Sequence, residues 1–517
     1  MSTFSPAFPI PSSSSSSSSS SPRSSSSSSP RSSSSSSTFT NTSSILIIGS
    51  GVFGLGTAYA LSRRDGFSGS ITVVDRSNPS CPDTFFAPDA ASIDTSRIVR
   101  ADYADRAYAS LCDEAQEVWR KQDKPSDLGA EGRYSEAGLL LVANDDGSSP
   151  APAAAPTAGA DEHKPIDKSR LTGMYYARMS WANVLSLASQ DPLLAERIRE
   201  LPNPEAIRAA SGTGSCSGTW GYINHNSGWA NAEASMAWLL DQVKQTGRVN
   251  FVPGTVVSLE HDETTVTGAK LSDGRVLSAD LVMVAAGAWT GSLVDLQGQA
   301  IATGQTLGYI NITEEEQDNL GKMPVILNLT TGLFIIPPVN RVLKVARHAY
   351  GYVNPIEVPV PPLPISPDST PAATVSIPRT SYNDPKFSIP AEGAADLRVA
   401  LREMVPQLQD RPFIKTRLCW YSDTRTGDFL IDYHPYWKNL FITTGDSGHA
   451  FKFMPVIGNK IVECIMGQCP QEFKGKWSWK QPDGRPLFTE DGSRGGKPGL
   501  ILADELAKTE FMLDTSS

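Results

Sequence analysis

Residues 45–64 read ILIIGSGVFGLGTAYALSRR, and after a five-residue gap residues 70–75 read SITVVD. An apolar run, a glycine turn, a stretch with helical character and a second apolar run describe a βαβ unit whose strands are buried on both faces. Within it, Gly49-Ser50-Gly51-Val52-Phe53-Gly54 has the spacing of a dinucleotide-binding turn. The first glycine permits the tight turn, the second lets backbone approach a pyrophosphate, and the third lets helix and strand pack closely. The helix N-terminus then presents its N–H groups to phosphate oxygens. Asp75 closes the second strand, where a carboxylate can accept hydrogen bonds from a ribose, and Arg76 stands beside it.

Outward from this unit, residues 228–247 have helical apolar spacing, and residues 249–289 break into short strands that end in LVMVAAGAW, which we read as completing the first sheet. Residues 416–467 hold two strand-like runs, a glycine turn and a terminal helix. Residues 145–165 and 354–378 are too rich in Pro, Ala and Ser for regular elements and read as surface loops. Residues 1–44, with serine runs at 12–21 and 24–29, cannot bury enough apolar surface to offset chain entropy, so a disordered tail is expected there.

The chain has 517 residues, 39% of them apolar, which suffices for a substantial core. A net charge of −10 argues against nucleic acid or an anionic membrane as partner, because such binding relies on cationic neutralisation. No stretch approaches the roughly 18 consecutive apolar residues of a membrane helix. The six cysteines (Cys81, Cys112, Cys216, Cys419, Cys464, Cys469) lack metal-ligand spacing and suggest no disulfide framework, which fits an intracellular compartment and no metal site. The C-terminus lacks the simple peroxisomal tripeptide, so cytoplasmic and peroxisomal locations both stay open. A small molecule is the expected partner, and the chain is expected to be a monomer.

Two further motifs, LCWYSDTRTGDFLIDYHP from Leu418 and TTGDSGHAFKF from Thr443, follow the glycine turn in order. With them the chain resembles the FAD-dependent amine and amino-acid oxidase superfamily, in the branch of monomeric sarcosine oxidase, fructosyl amino acid oxidase and saccharopine oxidase. The resemblance spans residues 45–467, loops excepted. It implies an α/β chain (α+β overall), in which a Rossmann-like FAD-binding domain (45–130, 222–295 and 416–517) interleaves with a mixed-sheet substrate domain (131–221 and 296–415).

The resemblance also implies roles. Cys419 would carry the flavin as a thioether, helped by a cationic surrounding to which Arg417 contributes. Gly448 and His449 would form the turn over the flavin ring, ahead of a helix whose N-terminal dipole stabilises negative charge on the reduced ring. Lys344 would promote oxygen reduction as a fixed cation, with Arg97 near the flavin and His348 in the same cavity tuning charge at the substrate amine. Arg100 and Lys452 would hold a substrate carboxylate, Arg through its planar fork. Tyr421, two residues past Cys419 and so on the same strand face, would line the substrate cavity. The function implied is oxidation of the C–N bond of an N-substituted amino acid with O2 as acceptor. The alternative is an oxidative cyclase in which an internal nucleophile of an N-methyl amino acid traps the iminium.

Overall fold

The computed structural model describes residues 39–76, 86–87, 89–145, 171–360, 363–364 and 372–514. The serine runs of the tail and most of the 145–165 segment lie outside them. Of the tail, Phe39 to Ser44 are ordered, contrary to expectation. Phe39 stacks on Phe67 with ring centroids 6.0 Å apart, and the Ser44 amide and hydroxyl both donate to Asp280 at 2.8 Å. A buried aromatic contact thus offsets the entropy that polar composition alone would leave uncompensated.

The motif-bearing strands Ile45–Ile48 and Ile71–Asp75 pair in parallel inside a six-stranded sheet. Its order is Leu430–Tyr433, Leu440–Thr444, Leu281–Val284, Ile45–Ile48, Ile71–Asp75 and Val249–Pro253. All neighbours are parallel except the first pair. The central strands Ile45–Ile48 and Leu281–Val284 are buried throughout, as parallel strands covered on both faces must be. Helix Val52–Ser62 packs on helix Met454–Ile465, and the approach is close enough that a Cβ on Gly458 would lie 2.0 Å from the Gly56 carbonyl oxygen.

The strands between Val249–Pro253 and Leu281–Val284 do not join this sheet. Val256–His261, Val266–Leu271 and Val276–Ser278 form a separate three-stranded antiparallel sheet. Part of the proline-rich 354–378 segment is also regular, because Pro355–Pro359 pairs antiparallel with Ala372–Ser376. A two-stranded ribbon has two edges, where proline's missing N–H is tolerated.

The second large sheet is mixed and has ten strands. Its long strand Ile301–Asn311 pairs with Val342–Arg347 on one side and with Lys415–Asp423 on the other. Register sets Tyr309 opposite Lys344 and Gln305 opposite Cys419. Directly opposed residues share a face, so Lys344, Arg417, Cys419 and Tyr421 project from one side of this sheet.

Candidate active site

The glycine turn borders a cavity of about 380 Å3, lined on one side by Gly49, Gly51, Val52, Phe53, Asp75 and Arg76 and on the other by Tyr421 and Gly448. Gly49 has φ +109°, and a Cβ there would meet the Ala285 carbonyl oxygen at 2.4 Å; a Cβ on Gly54 would lie 1.9 Å from the Gly49 oxygen. Gly51 is different, since a Cβ there would meet only Ser92 Oγ at 3.9 Å. Protein packing therefore explains the first and third glycines, and the open space over the second fits a pyrophosphate. Gly51 caps helix Val52–Ser62 without a side-chain hydrogen bond, and the first turn carries no acid that would repel phosphate.

Ser50 and Gly54 do not line this cavity and act beneath it. The Ser50 amide and hydroxyl donate to Asp75 Oδ2 at 2.7 and 2.5 Å, while the Arg76 amide donates to Oδ1 at 2.6 Å. Asp75 is thereby fixed at the cavity edge. Burial raises its pKa, and the donors from Ser50 and Arg76 oppose that shift. Arg76 stacks over Trp289 at 4.4 Å and pairs with Asp89 at 3.0 Å. The residues present fit an FAD dinucleotide.

A smaller chamber of about 70 Å3 lies on the other side of Tyr421 and Gly448. It gathers Arg97, Arg100, Lys344, His348, Cys419, His449 and Lys452, so the residues that the resemblance singles out converge although they come from four separate segments. Gly448 has φ +69°, and a Cβ on it would lie 2.3 Å from the Tyr421 ring, so the turn and the ring pack directly.

Two charges in this chamber are anchored by Asp94, a residue that no motif singles out. Lys344, only 3% exposed, lies 2.7 Å from Asp94 Oδ2 and donates to the Ser96 carbonyl at 2.7 Å. Arg97 pairs with the same Asp94 oxygen, and Tyr309 donates to Oδ1 at 2.7 Å. Burial disfavours the Asp94 carboxylate, but Lys344, then Arg97 and Arg417, outweigh it and hold its pKa well below the ordinary range. Burial lowers the Lys344 pKa to about 8, with Asp94 opposing the shift. Arg97 also reaches the Cys419 sulfur at 3.5 Å.

Arg494, from the segment after the last motif, was likewise not signalled. Its Nη2 donates to Asp423 at 2.5 Å and to the Ser447 carbonyl at 2.9 Å, and its Nη1 donates to His348 Nδ1 at 3.1 Å. Arginine cannot accept, so the His348 ring is neutral with its proton on Nε2. Burial, then Arg494, depresses its pKa well below the ordinary value. His449 is neutral as well. Its Nε2 donates to the Gly427 carbonyl at 2.8 Å, leaving Nδ1 to accept from the Tyr103 hydroxyl at 3.0 Å, which itself accepts from Lys452 Nζ at 2.8 Å.

Arg100 and Lys452 are 6% and 4% exposed, and neither has a carboxylate within 4 Å among the described residues. The Arg100 Nη1 has no hydrogen-bond partner among the described residues. Burial, then Arg100, lowers the Lys452 pKa to about 7. Two buried basic groups with no ion-pair partner, on which Asp102 acts only at longer range, make a site that an entering anion would complete. Among the described residues, no helix is long and apolar enough to cross a membrane.

The family described as FAD dependent oxidoreductase matches residues 44–464. The amino acid oxidase imqH of Aspergillus flavus is 34% identical, over 82% of this chain and 92% of that protein. The L-saccharopine oxidase of Schizosaccharomyces pombe is 30% identical, over 85% and 94%. Among solved structures, the fructosamine oxidase Amadoriase II of Aspergillus fumigatus superposes with a TM-score of 0.69 at 27% identity, covering 90% of this chain and 96% of that one. On the extent of these matches, the chain belongs to the FAD-dependent oxidoreductase family.

Proposed function

We propose that the chain oxidises the C–N bond of a secondary-amine amino acid, giving an iminium, and that O2 takes up the electrons as H2O2. The observation that supports this most is the Arg100 and Lys452 pair, two buried cations lacking a carboxylate beside the dinucleotide cavity. A substrate α-carboxylate supplies the missing charge, and a guanidinium with a spare donor suits its planar oxygens.

FAD, when bound, supplies a two-electron acceptor that O2 can regenerate. The chain's own groups do the rest. Arg100 and Lys452 hold the carboxylate and so fix the position of the adjacent carbon and nitrogen. The cations around the chamber and the neutral His348 and His449 disfavour an ammonium, so the amine is held in its neutral, oxidisable form. Lys344, kept in place by Asp94, sets a positive charge where oxygen gains electrons. Cys419 would hold the cofactor through a thioether, with Arg97 stabilising negative charge at the sulfur.

The relatives named amino acid oxidase and L-saccharopine oxidase support the same class of substrate. The test is peroxide release from N-methyl amino acids by the purified holoenzyme, with Arg100→Met expected to abolish most of it. Peroxide production that is indifferent to Arg100 and Lys452 would defeat the assignment. Product analysis separates hydrolysis of the iminium from ring closure.

A further inference from the structure

Arg100, His348 and His449 face not only the inner chamber but also a second cavity of about 330 Å3. Helix Gly173–Ala188 contributes Tyr175, Tyr176 and Met179 to it, while the loop before Phe429 contributes Asp428 and the C-terminal segment contributes Asp491. The other carboxylates there are neutralised, Asp105 by Lys476 and Glu490 by Arg425 at 3.1 Å. Asp428 and Asp491 have no ion pair among the described residues. Asp491 accepts from the Ser493 amide at 2.9 Å and hydroxyl at 2.7 Å, which orients the carboxylate without cancelling its charge.

We infer that this second cavity is the side-chain subsite of the amino-acid substrate, and that it admits a side chain ending in a hydrogen-bond donor or a cation while rejecting one ending in a carboxylate. The inference rests on the amino-acid reading above. With the α-carboxylate on Arg100 Nη1, this cavity, which shares Arg100 with the inner chamber, has the room for a side chain that the smaller chamber lacks. A volume of about 330 Å3 lies within the ~300–1,000 Å3 of small-molecule pockets and far exceeds what an N-methyl group needs. Tyr175, Tyr176 and Met179 offer apolar faces to methylenes or a ring. A donor or cation at the far end would complete Asp428 and Asp491. A second carboxylate would add like charge to a partly desolvated site, which discriminates by repulsion. Burial pushes the Asp428 carboxyl up to about 6, so at about pH 8 it is ionised.

N-methyl-L-glutamine and N-methyl-L-glutamate have the same shape and differ by one charge, so their kcat/KM values for peroxide release from the holoenzyme at about pH 8 test the inference. The glutamine derivative is expected to be ahead by about tenfold or more, with the difference in KM. Asp428→Asn and Asp491→Asn should each shrink that ratio, and the wild-type comparison stands even if a variant fails to fold. Equal values, a faster glutamate derivative, or oxidation of N-methylglycine alone overturns the subsite while leaving the amino-acid reading intact. Peroxide from none of the three overturns the subsite, and the amino-acid reading falls with it only if N-methyl aromatic amino acids also fail.

Discussion

Arg97 and Cys419 stand 322 residues apart in the chain, yet the Arg97 Nη2 lies 3.5 Å from the Cys419 sulfur. The guanidinium is not free to leave, because its other nitrogen is paired with buried Asp94. That sulfur is the atom proposed to bond to the flavin ring, so the fixed guanidinium lies beside the bond that would form.

The proposed covalent tether at Cys419 has a direct readout. On acid precipitation of the wild-type protein, flavin absorbance should stay with the polypeptide, and Cys419→Ser should release it. Arg97→Met should lower the covalently loaded fraction, read by intact mass, to well under half under the same conditions. Full loading without Arg97 would remove it from the reaction.

Asp94 should matter more for stability than its place in the sequence suggests. Asp94→Asn leaves the buried Lys344 and the half-buried Arg97 and Arg417 around a neutral group, and breaking a buried ion pair on one side costs about 3–5 kcal/mol. Urea unfolding of the apoprotein reads this. Lys344→Met should instead act on the oxygen step. Losing a preorganised charge slows a step about 10²–10³-fold, here flavin reoxidation by O2 in double-mixing experiments, with substrate reduction changed far less.

The carboxylate clamp predicts a KM effect. Arg100→Met should lower kcat/KM by about 10–100-fold, the range expected for a charge-assisted hydrogen bond of ~1.5–3 kcal/mol, mostly through KM.

Lys452 also carries a pH signature. Its pKa falls from 10.5 to about 7 on folding, so between those values the unfolded chain binds a proton that the folded chain does not. Stability from this residue therefore rises with pH across that window and is flat below it. The Tm of wild type minus that of Lys452→Met should climb from about pH 7 towards pH 10, and a constant difference would contradict the assignment.

What could be read from sequence was what depends on short range. Gly49, Gly51 and Gly54 announce a dinucleotide turn by their spacing within one βαβ unit, although only the Gly54 constraint is internal to that unit and the Gly49 one comes from Ala285. Cys419, Gly448 and His449 were found through motif order. Asp94 was invisible, since Tyr309 and Lys344 reach it across more than two hundred residues and a single aspartate before a threonine has no local signature. Arg494, followed by two glycines, reads as a surface turn, and only the tertiary fold buries it against Asp423 and His348. Which sheet a strand joins was also hidden. Lys415–Asp423 pairs with Ile301–Asn311 in the mixed sheet, although Leu430–Tyr433, seven residues on, belongs to the parallel one.

The proposed reaction passes electrons from an N-substituted amino acid to a flavin held in this cavity. Anaerobic mixing of the holoenzyme with a panel of N-methyl amino acids measures that transfer without oxygen chemistry. The account predicts that at least one of them bleaches the flavin's visible absorbance, and that admitting O2 restores it with one peroxide per turnover. A flavin spectrum unchanged by every N-methyl amino acid would contradict it.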